Sequence, residues 1–201
     1  MVGLGRFIYS QLFITPPKPI TSLSGKTIIV TGSNVGLEKE AARYFTALGA
    51  CTVILAVRSL EKGEAAKKDI ETTTGRNGVV KVMQLGYVQL SECIGFRCHR
   101  ISGGGEYVNR GVFEMFEQDE STITVNVVST FLLAFALLQK LKETARKFNT
   151  RPTLTVVSSE VHEWTPFGER KADKIFERLN KKRVGGKEVS LGNRYLSVKV
   201  A

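Results

Sequence analysis

The stretch Lys26-Thr27-Ile28-Ile29-Val30-Thr31-Gly32-Ser33-Asn34-Val35-Gly36-Leu37 decides the fold. Its first half, KTIIVT, is a short β-branched apolar run, the pattern of a strand covered on both faces. Its second half is a turn bracketed by two glycines. Beyond it, Ala41, Ala42, Phe45 and Leu48 recur at helical spacing, and Gly49 ends the helix. Strand, glycine turn and helix in this order form the unit that receives a nucleotide's phosphates. Gly32 permits a tight turn, and Gly36 lets the backbone approach a diphosphate. The first-turn N–H groups and the positive end of the helix dipole then face the anion. A third glycine is expected at position 38, where Glu38 stands instead. Its charge beside a bound phosphate weakens binding unless the side chain turns outward.

Cys51–Val57 (CTVILAV) predicts a second buried strand, ending in Arg58-Ser59. Ser59 is placed to cap a helix over about 60–74, which stops at Gly75. In a doubly wound nucleotide fold the end of the second strand meets the adenosine ribose. An acid there suits a free 2′-hydroxyl, and an arginine accommodates a 2′-phosphate, so Arg58 favours NADP over NAD. Val79–Leu85 predicts a third strand. Strands alternating with helices make a parallel α/β sheet the leading fold.

The rest of the composition narrows the function classes. The chain has 201 residues, 42% of them apolar and 24% charged, which excludes wholesale disorder and suits one domain, or one domain with an appendage. No apolar run reaches the roughly 18 residues of a membrane span. Lysine and arginine number 29 against 19 acids, giving +10. That balance permits anionic ligands, yet the basic residues of 140–151 and 171–187 are mixed with acids, as on solvated helix faces. No aromatic-interleaved basic stripe appears, so nucleic acid is not an expected partner. The three cysteines, Cys51, Cys93 and Cys98, form no disulfide pattern and suit a reducing, cytoplasmic setting. Cys93, Cys98 and His99 lack a fourth neighbouring ligand, so no metal site is expected. Residues 1–24 read as a leader packing on the domain. Its apolar Phe7–Ile14 is followed by the stiff Thr15-Pro16-Pro17. Peripheral membrane contact through this leader is the minor alternative.

Five motifs in order make the chain resemble the short-chain dehydrogenase/reductase family. They are Thr31-Gly32-x-x-x-Gly36 after the first strand, Arg58 after the second, Asn126 within TITVNVVSTFLLAFALL, Ser159 at the end of LTVVSS, and Tyr195-x-x-x-Lys199. The runs TGSNVGL and AVRSLEKGEAAKKDIE resemble its fungal, retinol-dehydrogenase-like branch. The likeness covers about residues 1–85 and 111–201. It implies a Rossmann-type doubly wound, mainly parallel sheet in three αβα layers, and hydride transfer between a nicotinamide cofactor and a carbonyl or alcohol. It also implies roles: Tyr195 as proton donor, Lys199 lowering the tyrosine's pKa and holding the nicotinamide ribose, Ser159 binding the substrate oxygen, and Asn126 holding a water that links Lys199 to solvent. The chemistry agrees. A tyrosine with a pKa near ~10 exchanges protons poorly at neutral pH, a nearby ammonium stabilises its phenolate, and positions four apart share a helix face. The candidate cofactor-binding set is Thr31, Gly32, Ser33, Asn34, Val35, Gly36, Leu37, Arg58, Asn109, Tyr195 and Lys199.

The likeness breaks within residues 86–110. Gly86 stands where the family places an aspartate for the adenine. Tyr87–Tyr107 shows no sustained helical period, and the residues before Val108-Asn109-Arg110-Gly111, the nearest match to the family's Asn-Asn-Ala-Gly, do not read as a strand. A clean break with clean returns on both sides fits a mis-spliced transcript or a decayed gene better than gradual divergence. The chain also stops at Ala201, just past Lys199, so the resemblance implies a fold incomplete at its C-terminal side. An insert over 162–193 carries a predicted amphipathic helix near Lys171–Leu179. Trp164 and Phe167 there either wall a substrate pocket or pack the insert. The helix near Gln118–Phe148 is predicted to be buried through its first two-thirds, because Ile123, Val125, Val127, Val128, Phe131, Leu132 and Phe135 leave little polar face.

The leading reading is therefore a Rossmann-type domain over 25–201 and an NADP-dependent oxidoreductase acting on a small lipophilic carbonyl or alcohol, with a place in secondary metabolism. The alternative is a truncated, catalytically inactive remnant, a nucleotide-binding pseudoenzyme. Substrate, direction and oligomeric state are not set by the sequence.

Overall fold

The computed structural model describes residues 4–85, 100–103, 115–116, 119–120, 123–157, 171–181, 183–184 and 187–188. The chain forms two compact units. One comprises Ser22–Tyr107 with Val125–Val157, and the other Met1–Thr21, Val108–Thr124 and Ser158–Ala201.

The first unit holds a five-stranded sheet. Its strands are β1 (Thr27–Thr31), β2 (Thr52–Val57), β3 (Val80–Gln84), β4 (Arg100–Gly103) and β7 (Thr153–Val156), in the order β3-β2-β1-β4-β7. Every pairing is parallel, with Thr31 opposite Ala56, Val57 opposite Gln84, Val30 opposite Ser102 and Gly103 opposite Val156. Side chains along a strand alternate between faces, and the core follows that alternation. Ile28, Val30, Val53, Leu55 and Val57 pack in one cluster with Ala42, Ala66 and Ile70. These three come from α2 (Gly36–Ala47) and α3 (Leu60–Thr74). Ile29, Ile54, Ala56 and Met83 pack in a second cluster with Leu137 and Leu141 of α4 (Thr130–Phe148). The sheet is thus covered on both faces, which is why its central β1 and its neighbour β2 are continuous apolar runs. Leu23, just ahead of β1, joins the first cluster, and its amide donates to the Leu48 carbonyl at 2.9 Å.

Two elements differ from their sequence expectation. The atypical segment supplies a strand after all: Arg100–Gly103 (RISG) pairs with β1 on one side and β7 on the other. Four residues whose backbone is satisfied from both neighbours need no long apolar signature to form a strand. The long helix also differs from expectation. Asp119–Glu120 (β6) pairs antiparallel with Met115–Phe116 (β5), Thr124–Ser129 is a π-helical turn, and α-helix begins only at Thr130. The turn is dense in β-branched residues, which crowd an α-helical turn. The Thr130 hydroxyl donates to the carbonyl of Val125 at 3.1 Å, consistent with the wider winding. Nor is the first part of α4 buried: Phe131, Leu132, Phe135 and Leu138 are exposed, Phe135 at 69%. An 18-residue window of the helix from Thr124 to Phe148 has a mean hydropathy of 1.5, enough by length and composition alone to cross a membrane, although polar residues interrupt its apolar run. It lies on the sheet through Leu133, Leu137 and Leu141 at four-residue spacing and leaves an apolar outward face at Phe131, Leu132, Phe135 and Leu138.

Helices α2 and α3 are clamped together by charge. Asp69 of α3 accepts from Lys39 and from Arg43 of α2, both at 2.7 Å, and Arg43 also donates to the Thr73 hydroxyl and to Glu40. The bond from Lys39, then that from Arg43, holds the Asp69 carboxyl down at about 2, against 3.8 ordinarily. A carboxylate depressed in the folded state stabilises it above its unfolded pKa, and this contribution disappears as pH falls through the folded value. The stability gap between the wild type and Asp69→Asn should therefore be full above about pH 4 and should close toward pH 2. Urea denaturation at both pH values checks this, and a gap unchanged by pH contradicts it.

In the second unit, α1 (Leu4–Phe13) stacks Tyr9 on Phe13 with ring centroids 5.2 Å apart, and its Ile8, Leu12 and Phe13 are exposed. The insert's helix, α5 (Ile175–Leu179), is shorter than its sequence pattern suggests. Leu179 is buried and Phe176 is exposed. A last hairpin pairs β8 (Arg183–Val184) with β9 (Lys187–Glu188).

Candidate functional site

Parallel strands bring all their carboxyl ends to one edge, so β1, β2, β4 and β7 end on the same side. The chain winds outward from β1 through β2 to β3, then returns to the other side of β1 with β4. Strand order reverses between β1 and β4, and a crevice opens outside the carboxyl ends at such a switch point. The loop 32–35 leaves β1 there and leads directly into α2 at Gly36.

Its shape is fixed from inside. The Gly32 amide donates to the Ala56 carbonyl at 2.9 Å, extending the ladder by one residue. Ser33 is fully buried, and its hydroxyl donates to the Val30 carbonyl at 2.8 Å. Among the candidate residues it therefore braces the loop from below, a role the motif's glycines obscured. A hydroxyl just after a strand-ending glycine was the available signal. Gly32 and Gly36 have φ of 69° and 70°, the left-handed region where a side chain is costly. Thr31 is buried, Asn34 half-buried, and Val35 and Leu37 exposed. Val35, at the N-cap of α2, makes no side-chain capping bond. The loop thus presents backbone and apolar side chains, together with the helix's first N–H groups, toward the carboxyl edge.

Arg58 is the first residue past β2. Its carbonyl accepts from the Gln84 side-chain Nε2 at 3.3 Å, and the hydroxyl of the next residue, Ser59, caps α3 by accepting from the Lys62 backbone amide at 3.4 Å. The backbone is held on both sides and the side chain is exposed. The Thr31–Ala56 register sets Gly32 across from Val57, so Arg58 and the glycine loop emerge side by side. Gln84's part in this was not read from sequence, and its exposed position at the strand's end was the only hint.

Asn126 is half-buried within the π-helical turn. Ser159, Tyr195, Lys199 and Asn109 lie outside the described residues, as do Gly86, Cys93, Cys98, His99, Trp164 and Phe167. β7 ends at Val156, three residues before Ser159, on the edge where the glycine loop opens. Glu38 has not turned away from the loop: its Oε2 stands 3.5 Å from where a Cβ on Gly36 would lie. Cys51 is an exposed free thiol, and no cluster of metal-ligating side chains occurs among the described residues.

A parallel sheet in this order, with a glycine loop and a helix N-terminus at its switch point, defines a Rossmann-type domain. The chain is 46% identical over 175 residues to the short chain dehydrogenase/reductase dmxR8 of Cryptosporiopsis sp., covering 83% of this chain and 54% of that protein. It is 43% identical over 191 residues to the short chain dehydrogenase atnD of Emericella nidulans, covering 90% of this chain and 60% of that one. In fold it matches a short chain dehydrogenase of Escherichia coli CFT073 complexed with NADPH, with a TM-score of 0.57 at 23% identity over 92% of this chain and 69% of that one. No family model matches. The chain belongs to the short-chain dehydrogenase/reductase family of oxidoreductases. It spans 54–60% of the length of the two fungal relatives.

Proposed function

We propose that this chain binds NADPH along the carboxyl edge of its sheet and serves hydride transfer to or from a small lipophilic carbonyl or alcohol in secondary metabolism. The observation that carries the reading is the glycine loop at the switch point, with two left-handed glycines that leave the α2 N-terminus open to a diphosphate. The residues fit the group. The loop backbone would receive the diphosphate, and Arg58, exposed one residue past β2, would take the 2′-phosphate through its planar fork. The NADPH complex of the Escherichia coli neighbour supports a nicotinamide cofactor. The fungal relatives' likeness to this chain supports the oxidoreductase class.

When bound, the nicotinamide supplies the hydride. Tyr195 donates a proton to the substrate oxygen in reduction. Lys199 would stabilise the resulting phenolate and hold the nicotinamide ribose. Ser159 hydrogen-bonds the substrate oxygen, and Asn126 positions a water on the proton path to Lys199. Asn109, by the family resemblance, would also contact the cofactor. We place the protein in a reducing, cytoplasmic setting on its three cysteines without a disulfide pattern. A second reading, a nucleotide-binding pseudoenzyme, is favoured by the carboxylate of Glu38 beside the loop.

Thermal unfolding tests both. NADPH at a hundredfold excess over Kd should stabilise the fold by about 2.7 kcal/mol, a rise of roughly 5–10 °C in Tm for a chain of this size. NADH should do less, and Arg58→Ala should erase that difference. No shift at millimolar NADPH refutes cofactor binding. A shift without turnover of any carbonyl or alcohol selects the pseudoenzyme.

A further inference from the structure

We propose that Glu38 is a tethered anion at the mouth of the glycine loop, and that it sets this chain's dinucleotide affinity by opposing the diphosphate. The proposal rests on the cofactor reading above. Glu38 is the acidic residue of the first turn of α2. Side chains of a helix's first turn lean toward its N-terminus. That of Glu38 folds back until Oε2 stands 3.5 Å from the position a Cβ on Gly36 would take. Gly36 is exposed and left-handed, so the space beside its missing Cβ is what the loop offers to an approaching ligand. A diphosphate is received where the backbone can be approached closely and the first N–H groups of the helix are free.

A carboxylate three residues past the N-cap reaches toward those same donors, as in a capping box. Val35 brings no side-chain oxygen of its own to them. Glu38 therefore meets an incoming phosphate in two ways: it repels the charge, and it competes for the positive end of the helix. Both effects act in the first turn, where the dipole is felt most strongly. The consequence is a site whose backbone is shaped for the dinucleotide while one side chain raises the concentration needed to fill it.

The test is calorimetric titration of NADPH into the full chain, Glu38→Gly and Glu38→Gln at low ionic strength. Both variants should bind about tenfold more tightly than the wild type, and the Glu38→Gln gap should narrow as salt is raised from about 0.05 to 0.5 M. Glu38→Gln keeps the side chain's length, so it retains the fold should glycine loosen α2. Equal or weaker binding by both variants overturns the proposal and leaves the cofactor reading standing. Tightening in Glu38→Gly alone also overturns it, because the cause is then bulk, and so does a gap indifferent to salt. Absence of binding in all three proteins overturns the proposal together with the cofactor reading.

Discussion

Gly63→Leu should abolish cooperative folding at 37 °C, and even Gly63→Ala should lose about 1–3 kcal/mol of stability. Gly63 lies on the face of α3 that also carries Ala66 and Ile70, all three buried against the sheet. A Cβ at position 63 would stand 2.6 Å from Val82 Cγ1 and 2.7 Å from Val57 Cγ2. Both neighbours are β-branched side chains with stiff χ1 angles, so neither swings aside cheaply. Either α3 lifts from β2 and β3, or the two valines leave their rotamers. Alanine gains about 1 kcal/mol over glycine as a helix former, and the overpacking exceeds this gain. Leucine adds three further carbons where none fits. Urea denaturation measures the loss. Adding Val82→Ala to Gly63→Ala should restore part of it, a coupling that independent sites do not show. An alanine variant as stable as the wild type would mean that α3 sits further from the sheet.

Leu137→Ala should cost about 2–5 kcal/mol, whereas Phe135→Ala should stay within about 0.5 kcal/mol. The two residues are separated by a single position, and the sequence pattern values the phenylalanine at least as highly. In the structure, Leu137 is 2% exposed and Phe135 69% exposed. Leu137 packs in one cluster with Ile29, Ile54, Ala56, Met83 and Leu141. Truncation there leaves a cavity between helix and sheet that close-packed neighbours cannot collapse. Phe135 lies away from that cluster and has little packing to lose. Chemical denaturation of both variants decides the matter, and the reverse ranking would place the other face of α4 on the sheet.

The legible parts of the fold are those where local and tertiary demands coincide. Lys26–Thr31 and Cys51–Val57 are runs apolar enough to be buried on both faces, and Gly49, Ser59 and Gly75 mark boundaries by backbone chemistry that needs no distant partner. The glycine loop was equally legible, because left-handed φ values at Gly32 and Gly36 restrict the residue type directly. Illegible parts depend on distant partners. Arg100–Gly103 has no strand-like pattern, yet β1 and β7 supply hydrogen bonds on both sides. The run from Ile123 to Phe135 looks uniformly buried, because apolar identity does not say which face meets the sheet. At the candidate site, Arg58 and Glu38 were visible as residues out of the ordinary, whereas the bracing by Ser33 and Gln84 was not, since both act through carbonyls that sequence cannot orient.

The sequence by itself determined the parallel strand-turn-helix register, the glycine turn and the charge character of its surroundings, since short-range sterics, apolar periodicity and capping suffice for these. Only the tertiary structure decided the order β3-β2-β1-β4-β7, the face of α4 that is buried, and the direction in which Glu38 points. Those three depend on which elements satisfy one another's backbone and fill one another's surface, quantities that arise between segments far apart in the chain.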